Sequence, residues 1–422
     1  MTADQIPLLP DAVRRPRAAR GARRREAARD LPVARVALLT PVPHLDRIFD
    51  YEVPEELSAT ALAGVRVRVR LSGRLVDGYI LARVQDSDRD LQPLSSVHGP
   101  PVLTQEIAEL CRRVADRYAG TLADVLRFAV PPRRARAESR SASSPEPADV
   151  PQDAVDPAGW SAYRGGAALL AGIGGAVASR ALWIASPGER PAHRIAELAR
   201  AVRSRGRGVL VVAPDATDVD RIATALSEAG IPAARLVAES GPETRYRAFL
   251  SILSGESQVV VGTRAAVFAP VRDLGAIVVW DDGDESLSEP QAPGWHAREV
   301  AALRSAEMGI SLVLGGPAVT LEAARMAGAG WLAPVEVPRE VLRARMPRVR
   351  AAGDLVDDPA RSGSRIPSVA LEMLRAAARI GPVLISVPRA GYLPMVACQG
   401  CREPAACPQC ARPMQALGPD RQ

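Results

Sequence analysis

Four of the five cysteines crowd into one short segment and could bind a metal ion together. They form two C-x2-C pairs, made by Cys398, Cys401, Cys407 and Cys410. Two residues between two thiolates let both sulfurs face one ion, at about 2.3 Å from zinc. The spacing therefore predicts structural zinc. The short spacer between the pairs also leaves open that each pair belongs to a different ion.

The turn at 186–192 reads SPGERPA and connects an apolar strand to an amphipathic helix. A phosphate-binding turn at such a place is rich in glycine and carries a lysine. This turn has one glycine, Gly188, two prolines that offer no N–H, and the acidic Glu189. The whole sequence contains no lysine. These residues predict a turn that does not hold a triphosphate.

An acidic stretch, Asp281-Asp282-Gly283-Asp284, follows another apolar run. Carboxylates are the ligands that Mg²⁺ prefers, and Asp281 could still hold this ion with Asp282 beside it. Together with Gly188, these two acids are the candidate residues of a degenerate nucleotide site. The altered turn nevertheless disfavours ATP and Mg²⁺ as cofactors.

A first candidate DNA contact is the tripeptide Phe49-Asp50-Tyr51, which lies in a short strand. An aromatic ring can stack on the exposed face of a terminal base. A carboxylate can accept a hydrogen bond from a free 3′-hydroxyl and repels a 3′-phosphate. The alternative is that Phe49 and Tyr51, at alternating strand positions, pack in a core.

A second candidate DNA contact is a series of arginines. Arg66, Arg68 and Arg70 recur at strand spacing, which predicts that all three lie on one face, and Arg74 follows soon after. These cations could contact phosphates, or they could form a solvated basic face. Gly73, between them, could let the backbone approach DNA closely.

The charge of the chain is also informative. The formal net charge is +6, and residues 1–30 carry most of this excess as arginine. Such an arm favours a polyanionic partner, although a disordered tail without a partner is an equal alternative. The sequence has no secretory signal and no apolar run long enough to cross a membrane. We therefore expect no membrane partner and a cytoplasmic, nucleoid-associated protein.

Hydrophobic periodicity divides the chain into five predicted parts. A basic arm at 1–30 precedes a small β-barrel-like domain at 31–132, in which Gly73 and Gly78 are predicted to mark hairpins or bulges. A linker follows at 133–159. At 160–340, apolar strands alternate with helices, which predicts a parallel α/β lobe. The last part, 341–422, contains a predicted strand at 381–388 and the cysteines.

Several motifs together resemble one family, the replication-restart primosomal protein PriA, over roughly residues 33–415. VPHLDRIFDYEVPEEL and GVRVRVRLSGRLVDGYIL are similar to its 3′-end DNA-binding domain. VVVGTRAAVFAPVRDLGAIVVWDDGDES is similar to the helicase motifs of its first motor lobe, and CQGC with CPQC is similar to its zinc module. The resemblance implies a multidomain chain: a 3′-DNA-binding domain, a RecA-like helicase lobe and a zinc-knuckle module. It also implies that Phe49, Asp50 and Tyr51 line the 3′-end pocket.

Three motifs of the motor lobe depart from the pattern of the family. SPGERPAH replaces a loop that ends in Gly-Lys-Thr, Asp-Asp-Gly-Asp replaces Asp-Glu-Glu-His, and Gly-Gly-Pro at 315–317 replaces Ser-Ala-Thr. The linker at 133–159 is too short for the winged-helix domain of the family, and the sequence ends before the remainder of the second lobe. We therefore expect a degenerate, C-terminally truncated member with an inactive motor.

The expected function is replication restart. The protein would recognise stalled or abandoned forks with a 3′ end and promote primosome assembly and helicase reloading, without ATP-driven unwinding. Its expected partners are branched DNA, primosome proteins and the single-strand DNA-binding protein. One alternative is an ATP-dependent 3′-5′ DNA helicase with non-standard motifs. Another is a zinc-knuckle adaptor with no role at forks.

Overall fold

The computed structural model describes residues 26–138, 158–349, 367–386, 397–398, 400–409 and 414. Contacts divide the chain into two units, Met1–Met346 and Pro347–Gln422. Most of the predicted basic arm, the central part of the predicted linker and Cys410 lie outside the described residues.

The first unit begins with a five-stranded antiparallel sheet of order β2-β1-β4-β3-β5. Its strands are β1 (Val33–Leu38), β2 (Ile48–Glu52), β3 (Arg66–Leu71), β4 (Arg74–Val84) and β5 (Ser96–His98). The outer edge of β2 is not left open, because Glu52 N–H donates to the Gln92 carbonyl and Leu94 N–H donates to the Glu52 carbonyl. The sheet therefore curls around its own apolar core, in agreement with the barrel-like prediction.

The two glycines of this sheet have different roles. Gly73, with φ of +81°, forms the tight β3–β4 turn together with Ser72, whose φ is also positive. Gly78 lies inside β4 and marks neither a hairpin turn nor a bulge, so the prediction for Gly78 was wrong. A Cβ at Gly78 would lie 2.7 Å from both the Ala37 carbonyl oxygen and Val36 Cγ1. Close contact between β4 and β1 is therefore what requires this glycine.

Helices α1 (Gln105–Arg117) and α2 (Leu122–Ala129) cover the outer face of the curled sheet. Thr104 caps α1, as its hydroxyl accepts a hydrogen bond from Ile107 N–H, and Thr121 forms a capping box with Asp124 on α2. Cys111 is fully buried on the apolar face of α1. Burial raises the pKa of its thiol and keeps it un-ionised.

A seven-stranded sheet follows, with all neighbouring strands parallel and the order β12-β6-β11-β10-β7-β9-β8. Its strands are β6 (Arg180–Ile184), β7 (Gly208–Val212), β8 (Ala234–Leu236), β9 (Val259–Gly262), β10 (Leu274–Trp280), β11 (Ser311–Gly316) and β12 (Ala333–Val335). The five central strands match the apolar runs of the sequence. The two edge strands have three residues each and were not predicted.

Helices pack on both faces of the parallel sheet, as its continuous apolar strands require. They are α3 (Ala135–Glu138), α4 (Ala158–Ser161), α5 (Gly166–Gly172), α6 (Pro191–Arg203), α7 (Ala216–Glu228), α8 (Pro242–Ser254), α9 (Ala297–Met308), α10 (Leu321–Gly328) and α11 (Arg339–Arg345). Helix α3 lies at the start of the predicted linker, and its Ala137 is buried. Ordered structure therefore extends past the predicted boundary at 132.

The antiparallel and parallel sheets share one hydrophobic core. Trp295 is fully buried between Phe128 of α2, at 5.6 Å between ring centroids, and Phe268, at 5.1 Å. The buried guanidinium of Arg304 donates to the Val267 carbonyl and to Glu106 of α1. The two sheets and their helices therefore pack together as one body.

The second unit is described only in part. It contains α12 (Ser368–Ala378), which has no buried residue, and a turn around the first cysteine pair. Residues 381–386 of the predicted strand at 381–388 are not a strand, so this prediction was wrong over the described positions. An apolar run forms a strand only when another strand supplies hydrogen bonds, and the described part of this unit offers none to it. Among the described residues, no helix has both the length and the apolar character that crossing a membrane requires.

Candidate nucleic-acid interface and phosphate-type turn

The residues of the predicted 3′-end pocket lie on both faces of β2. Tyr51 is buried inside the curled sheet, and Phe49 is half-buried on the same face. Asp50 points the other way, where its carboxylate accepts a hydrogen bond of 2.7 Å from the Ser87 hydroxyl. The guanidinium of Arg47 lies 4.7 Å from the centre of the Phe49 ring. Of the two aromatic rings, Phe49 is therefore the more accessible to a base.

Tyr51 connects β2 to the turn that contains Gly73. Its hydroxyl donates to the carbonyl of Arg70, at 3.2 Å, near the end of β3. Burial raises the pKa of this phenol, which therefore stays protonated and a donor at neutral pH. No heavy atom lies within 4 Å of the position of a Cβ on Gly73, so the turn is open to solvent. The pocket residues and the glycine turn are thus held together through the core.

The predicted row of arginines lies on the outer face of β3. Arg66, Arg68 and Arg70 alternate with the buried Val67 and Val69, as the strand spacing predicts. Arg68 is paired with Asp77 of β4 at 2.9 Å, whereas no carboxylate among the described residues pairs with Arg66 or Arg70. Arg74 is exposed at the start of β4. This face carries positive charge and lies on the side of the sheet opposite to Tyr51.

The phosphate-type turn between β6 and α6 is satisfied by its own protein. The hydroxyl of Tyr163 accepts a hydrogen bond from Ser186 N–H, at 2.9 Å, and donates to the carboxylate of Glu189, at 2.5 Å. Burial, together with the bond to Glu189, raises the pKa of Tyr163 to about 12. Arg345 of α11 donates to the Ser186 hydroxyl at 2.9 Å and lies 3.6 Å from Glu189.

Few N–H groups of this turn are left to bind an anion. Two positions, Pro187 and Pro191, have none, and Pro191 is the first residue of α6. The N–H groups of Glu189, His193 and Arg194 donate to carbonyl oxygens of the turn itself. Gly188 has a φ of +80°, which glycine adopts easily, and no other group lies within 4 Å of the position of a Cβ on it. The turn has the position of a phosphate loop without its donors.

The acids after β10 are in two different environments. Asp282 is buried, and its carboxylate accepts hydrogen bonds from Arg298 of α9, at 3.1 Å, and from the Thr320 hydroxyl, at 2.8 Å. Arg298 is buried as well and also contacts Glu322. Asp282 is therefore part of a structural ion pair.

Asp281 has no hydrogen bond to its carboxylate within the described part of the chain. Burial, followed by the nearby acids Asp284 and Asp218, raises its pKa above the ordinary value. Its backbone has a φ of +51°, and its N–H donates to the Gly315 carbonyl. Asp281 is thus the one acid of the predicted pair whose carboxylate could reach a cation.

Sequence reasoning missed Tyr163, Arg345 and Arg298 as residues of this region. Tyr163 and Arg345 are far from the turn in sequence and reach it only through the packing of the chain. A signal for Tyr163 was present, because aromatic residues make up only 4% of the chain and Tyr163 lies close behind the predicted linker at 133–159.

The first cysteine pair lies on a tight turn. Arg402 N–H donates to the Cys398 carbonyl, and Cys398 N–H donates to the Glu403 carbonyl. Hydrogen bonds from the backbone N–H groups of Cys401 and Gly400 lower the pKa of the Cys398 thiol. However, no three His, Cys, Asp or Glu side chains gather as metal ligands anywhere in the described ranges. Cys398, Cys401 and Cys407 lie within these ranges and Cys410 lies outside them, so zinc binding stays a prediction from the spacing of the four cysteines.

Part of this chain matches a family model, and most of the chain is similar to known proteins. Residues 35–131 match the PriA family model described as the 3′DNA-binding domain. The chain is 48% identical over 389 residues to the probable replication restart protein PriA of Mycobacterium tuberculosis, and 44% identical to that of Mycobacterium leprae. Each match covers 89% of this chain and 59% of the relative. The replication restart protein PriA of Bacillus subtilis is 31% identical over 181 residues, which cover 41% of this chain and 22% of that protein.

The chain thus spans 59% of the length of its mycobacterial relatives. The matched region contains both the antiparallel sheet with its candidate pocket and the parallel α/β sheet with its altered turn. Residues 35–131 of this chain are therefore a 3′DNA-binding domain of the PriA family, and the wider matched region is similar to the mycobacterial replication restart proteins PriA.

Proposed function

We propose that this protein binds branched DNA at a 3′ end during replication restart and does so without ATP-driven unwinding. The relatives are named for replication restart, and residues 35–131 match a 3′DNA-binding domain. On this proposal, the protein acts at the nucleoid in the cytoplasm and promotes primosome assembly and helicase reloading. Primosome proteins and the single-strand DNA-binding protein are its proposed partners.

One observation supports the absence of ATP-driven work: Tyr163, Glu189 and Arg345 occupy the phosphate-type turn with their own hydrogen bonds. A triphosphate would have to displace them and would then face the charge of Glu189 with few N–H donors. We propose further that Phe49 and Asp50 contact the terminal nucleotide, Phe49 by stacking on the base and Asp50 by accepting a hydrogen bond from the 3′-hydroxyl.

The test compares forks that carry a 3′-hydroxyl or a 3′-phosphate at the junction, with ATP hydrolysis measured in the same samples. We expect tighter binding to the 3′-hydroxyl fork and no DNA-stimulated hydrolysis. Phe49→Ala should remove about 1–3 kcal/mol of fork binding. Ile48→Ala, which shortens an exposed neighbour on the other face of β2, is the matched control.

Asp50→Asn keeps the shape of the side chain but removes its charge, so it should abolish the preference for a 3′-hydroxyl. Ser87→Ala removes only the hydrogen bond to Asp50 and should leave this preference intact. Equal binding of both forks by the wild-type protein would overturn the 3′-end proposal.

The second candidate function is a weak ATP-dependent 3′-5′ helicase. It is favoured by the carboxylate of Asp281, which has no partner among the residues that the structure describes. DNA-stimulated ATP hydrolysis that is lost in Asp281→Ala would establish this candidate and reject the first.

Zinc binding stays a proposal that depends on the spacing of Cys398, Cys401, Cys407 and Cys410. Elemental analysis of the purified protein tests it. We expect bound zinc that is lost when the first pair is replaced by serine, and a metal-free wild-type protein would reject the proposal.

A further inference from the structure

A cavity of about 300 Å³ lies between the outer face of the curled sheet and α2, away from Phe49 and Tyr51. Its walls combine apolar groups, two arginines and one phenol. The residues that form it include Leu39, Pro41, Arg66, Tyr79, Arg127 and Pro132.

Both arginines are held in place by neutral groups. Arg66 donates to the hydroxyl of Tyr79, at 2.7 Å, and its guanidinium lies 5.3 Å from the centre of the Tyr79 ring. Arg127 donates to the Ala292 carbonyl, at 2.6 Å, and lies 4.7 Å from the centre of the Phe128 ring. Across the described ranges, neither arginine has a carboxylate within ion-pair distance. The cavity therefore presents two oriented positive charges, neither of which is part of an ion pair.

Asp124 also borders the cavity and keeps its negative charge, but it is not paired with either arginine. Its carboxylate accepts hydrogen bonds from the N–H and the hydroxyl of Thr121, and so completes the capping box of α2. Two arginines and one carboxylate leave the cavity with a net positive charge. The hydroxyl of Tyr79, which accepts from Arg66, keeps its own proton to donate. Burial is the main cause of its raised pKa, so this proton is retained at neutral pH.

We infer that this cavity binds one nucleotide of a single-stranded DNA segment, with the phosphate between Arg66 and Arg127 and the sugar and base against the apolar walls. Two rigid guanidinium groups match a phosphate, and their fixed orientation reduces the entropy lost on binding. Proline and leucine side chains provide apolar surface for a sugar or base, which a site for a bare anion would not need.

The surroundings favour nucleic acid over an acidic peptide. Arg70 lies on the same face of β3 as Arg66, so the positive charge continues beyond the cavity along the strand. Burial, followed by the positive charges of Arg68, Arg133 and Arg66, lowers the pKa of His98 on β5. A row of cations suits a repeating polyanion better than a peptide with one or two carboxylates.

This inference rests on the proposed DNA binding and adds a second contact to it. The test measures binding of a fluorescent oligothymidine that ends in a 3′-phosphate, so that the 3′-end pocket does not contribute. Affinity is measured from about 50 to about 200 mM salt. Arg66→Gln and Arg127→Gln should each weaken binding and reduce the slope of log K against log salt. The double variant should reduce the slope by about 0.7, the value for one phosphate contact on a single strand.

Arg221→Gln, an exposed arginine on α7, is the matched control and should leave the slope unchanged. Pro41→Glu and Pro41→Gln test the cavity without touching either arginine, because Pro41 is exposed at its border. The glutamate should weaken binding more than the glutamine, and the difference should shrink as salt screens the added charge. Unchanged thermal unfolding shows that each variant is folded.

The possible failures are distinguishable. If wild-type protein binds no fork at all, the proposed function fails. If forks bind with the usual 3′-hydroxyl preference but the arginine variants keep the full salt slope, only this inference fails. It also fails if a labelled acidic peptide, rather than the oligonucleotide, loses affinity in Arg66→Gln and Arg127→Gln.

Discussion

The hydroxyl of Tyr163 and the carboxylate of Glu189 lie 2.5 Å apart, in a turn where related architectures would hold phosphate. The same hydroxyl accepts a hydrogen bond from the N–H of the buried Ser186. An acid that would repel a nucleotide is thereby held by the protein itself. The altered turn is thus held in place by the rest of the fold, and Arg345 connects it to α11.

Tyr163→Phe should lower the free energy of unfolding by about 1–3 kcal/mol. The variant leaves the Ser186 N–H without its acceptor and the Glu189 carboxylate without its donor, and both groups are largely buried. Urea denaturation measures the loss. Tyr118→Phe, which removes only a longer bond of 3.3 Å from His296 N–H, should cost less. Equal stability of wild type and Tyr163→Phe would contradict the network.

Arg298→Met should destabilise the protein by about 3 kcal/mol or more. The variant leaves the buried carboxylate of Asp282 without its cation, and an unpaired buried charge is costly. The exposed Arg325→Met on α10 is the control and should have little effect. Chemical denaturation measures the free energy of unfolding of both variants. A similarly small decrease in both would show that Asp282 needs no cationic partner.

Asp281→Asn should increase stability at neutral pH. The pKa of Asp281 is raised in the folded protein, so the charged carboxylate opposes folding above that pKa, and the penalty disappears as the pH falls to the unfolded value. The gain should therefore be present near pH 7 and vanish near pH 4.

Because asparagine also tolerates a positive φ, the control for Asp281→Asn is Asp273→Asn, at an exposed aspartate with a φ of +47°. The control reports the backbone effect alone. A gain that is equal in both variants at every pH would show that the charge of Asp281 does not matter.

Tyr51→Phe should cost about 1 kcal/mol of stability and leave DNA binding unchanged. The ring stays in the core, and only the hydrogen bond to the Arg70 carbonyl is lost. Fork binding with a 3′-hydroxyl and with a 3′-phosphate gives the second readout. Loss of the 3′-hydroxyl preference in this variant would instead place the Tyr51 hydroxyl in contact with the terminal nucleotide.

The sequence predicted the elements with strong patterns and missed those that depend on neighbours. The five central strands of the parallel sheet are continuous apolar runs, so the local pattern of the sequence was sufficient to predict them. Strands β8 and β12 have three residues each and exist only because a longer strand lies beside them. The apolar run at 381–386 does not form a strand, because no strand in the described part of the chain pairs with it.

The candidate sites show the same division. The spacing of Arg66, Arg68 and Arg70 predicted their common face, because strand geometry fixes it. The contact of Tyr163 with Glu189 joins residues from separate elements and is a product of tertiary packing. Burial of Tyr51 and accessibility of Phe49 could not be separated in advance, because both residues point to the same face of β2.

The position of Trp295 between Phe128 and Phe268 limits how the protein can be divided into fragments for experiments. A fragment cut near residue 132 would leave aromatic and aliphatic side chains of α1 and α2 facing water, and the excised remainder would lose the same cover. Truncated pieces would tend to aggregate, and their failure to bind would say little about forks. Point substitutions in the intact chain are the informative way to separate its activities.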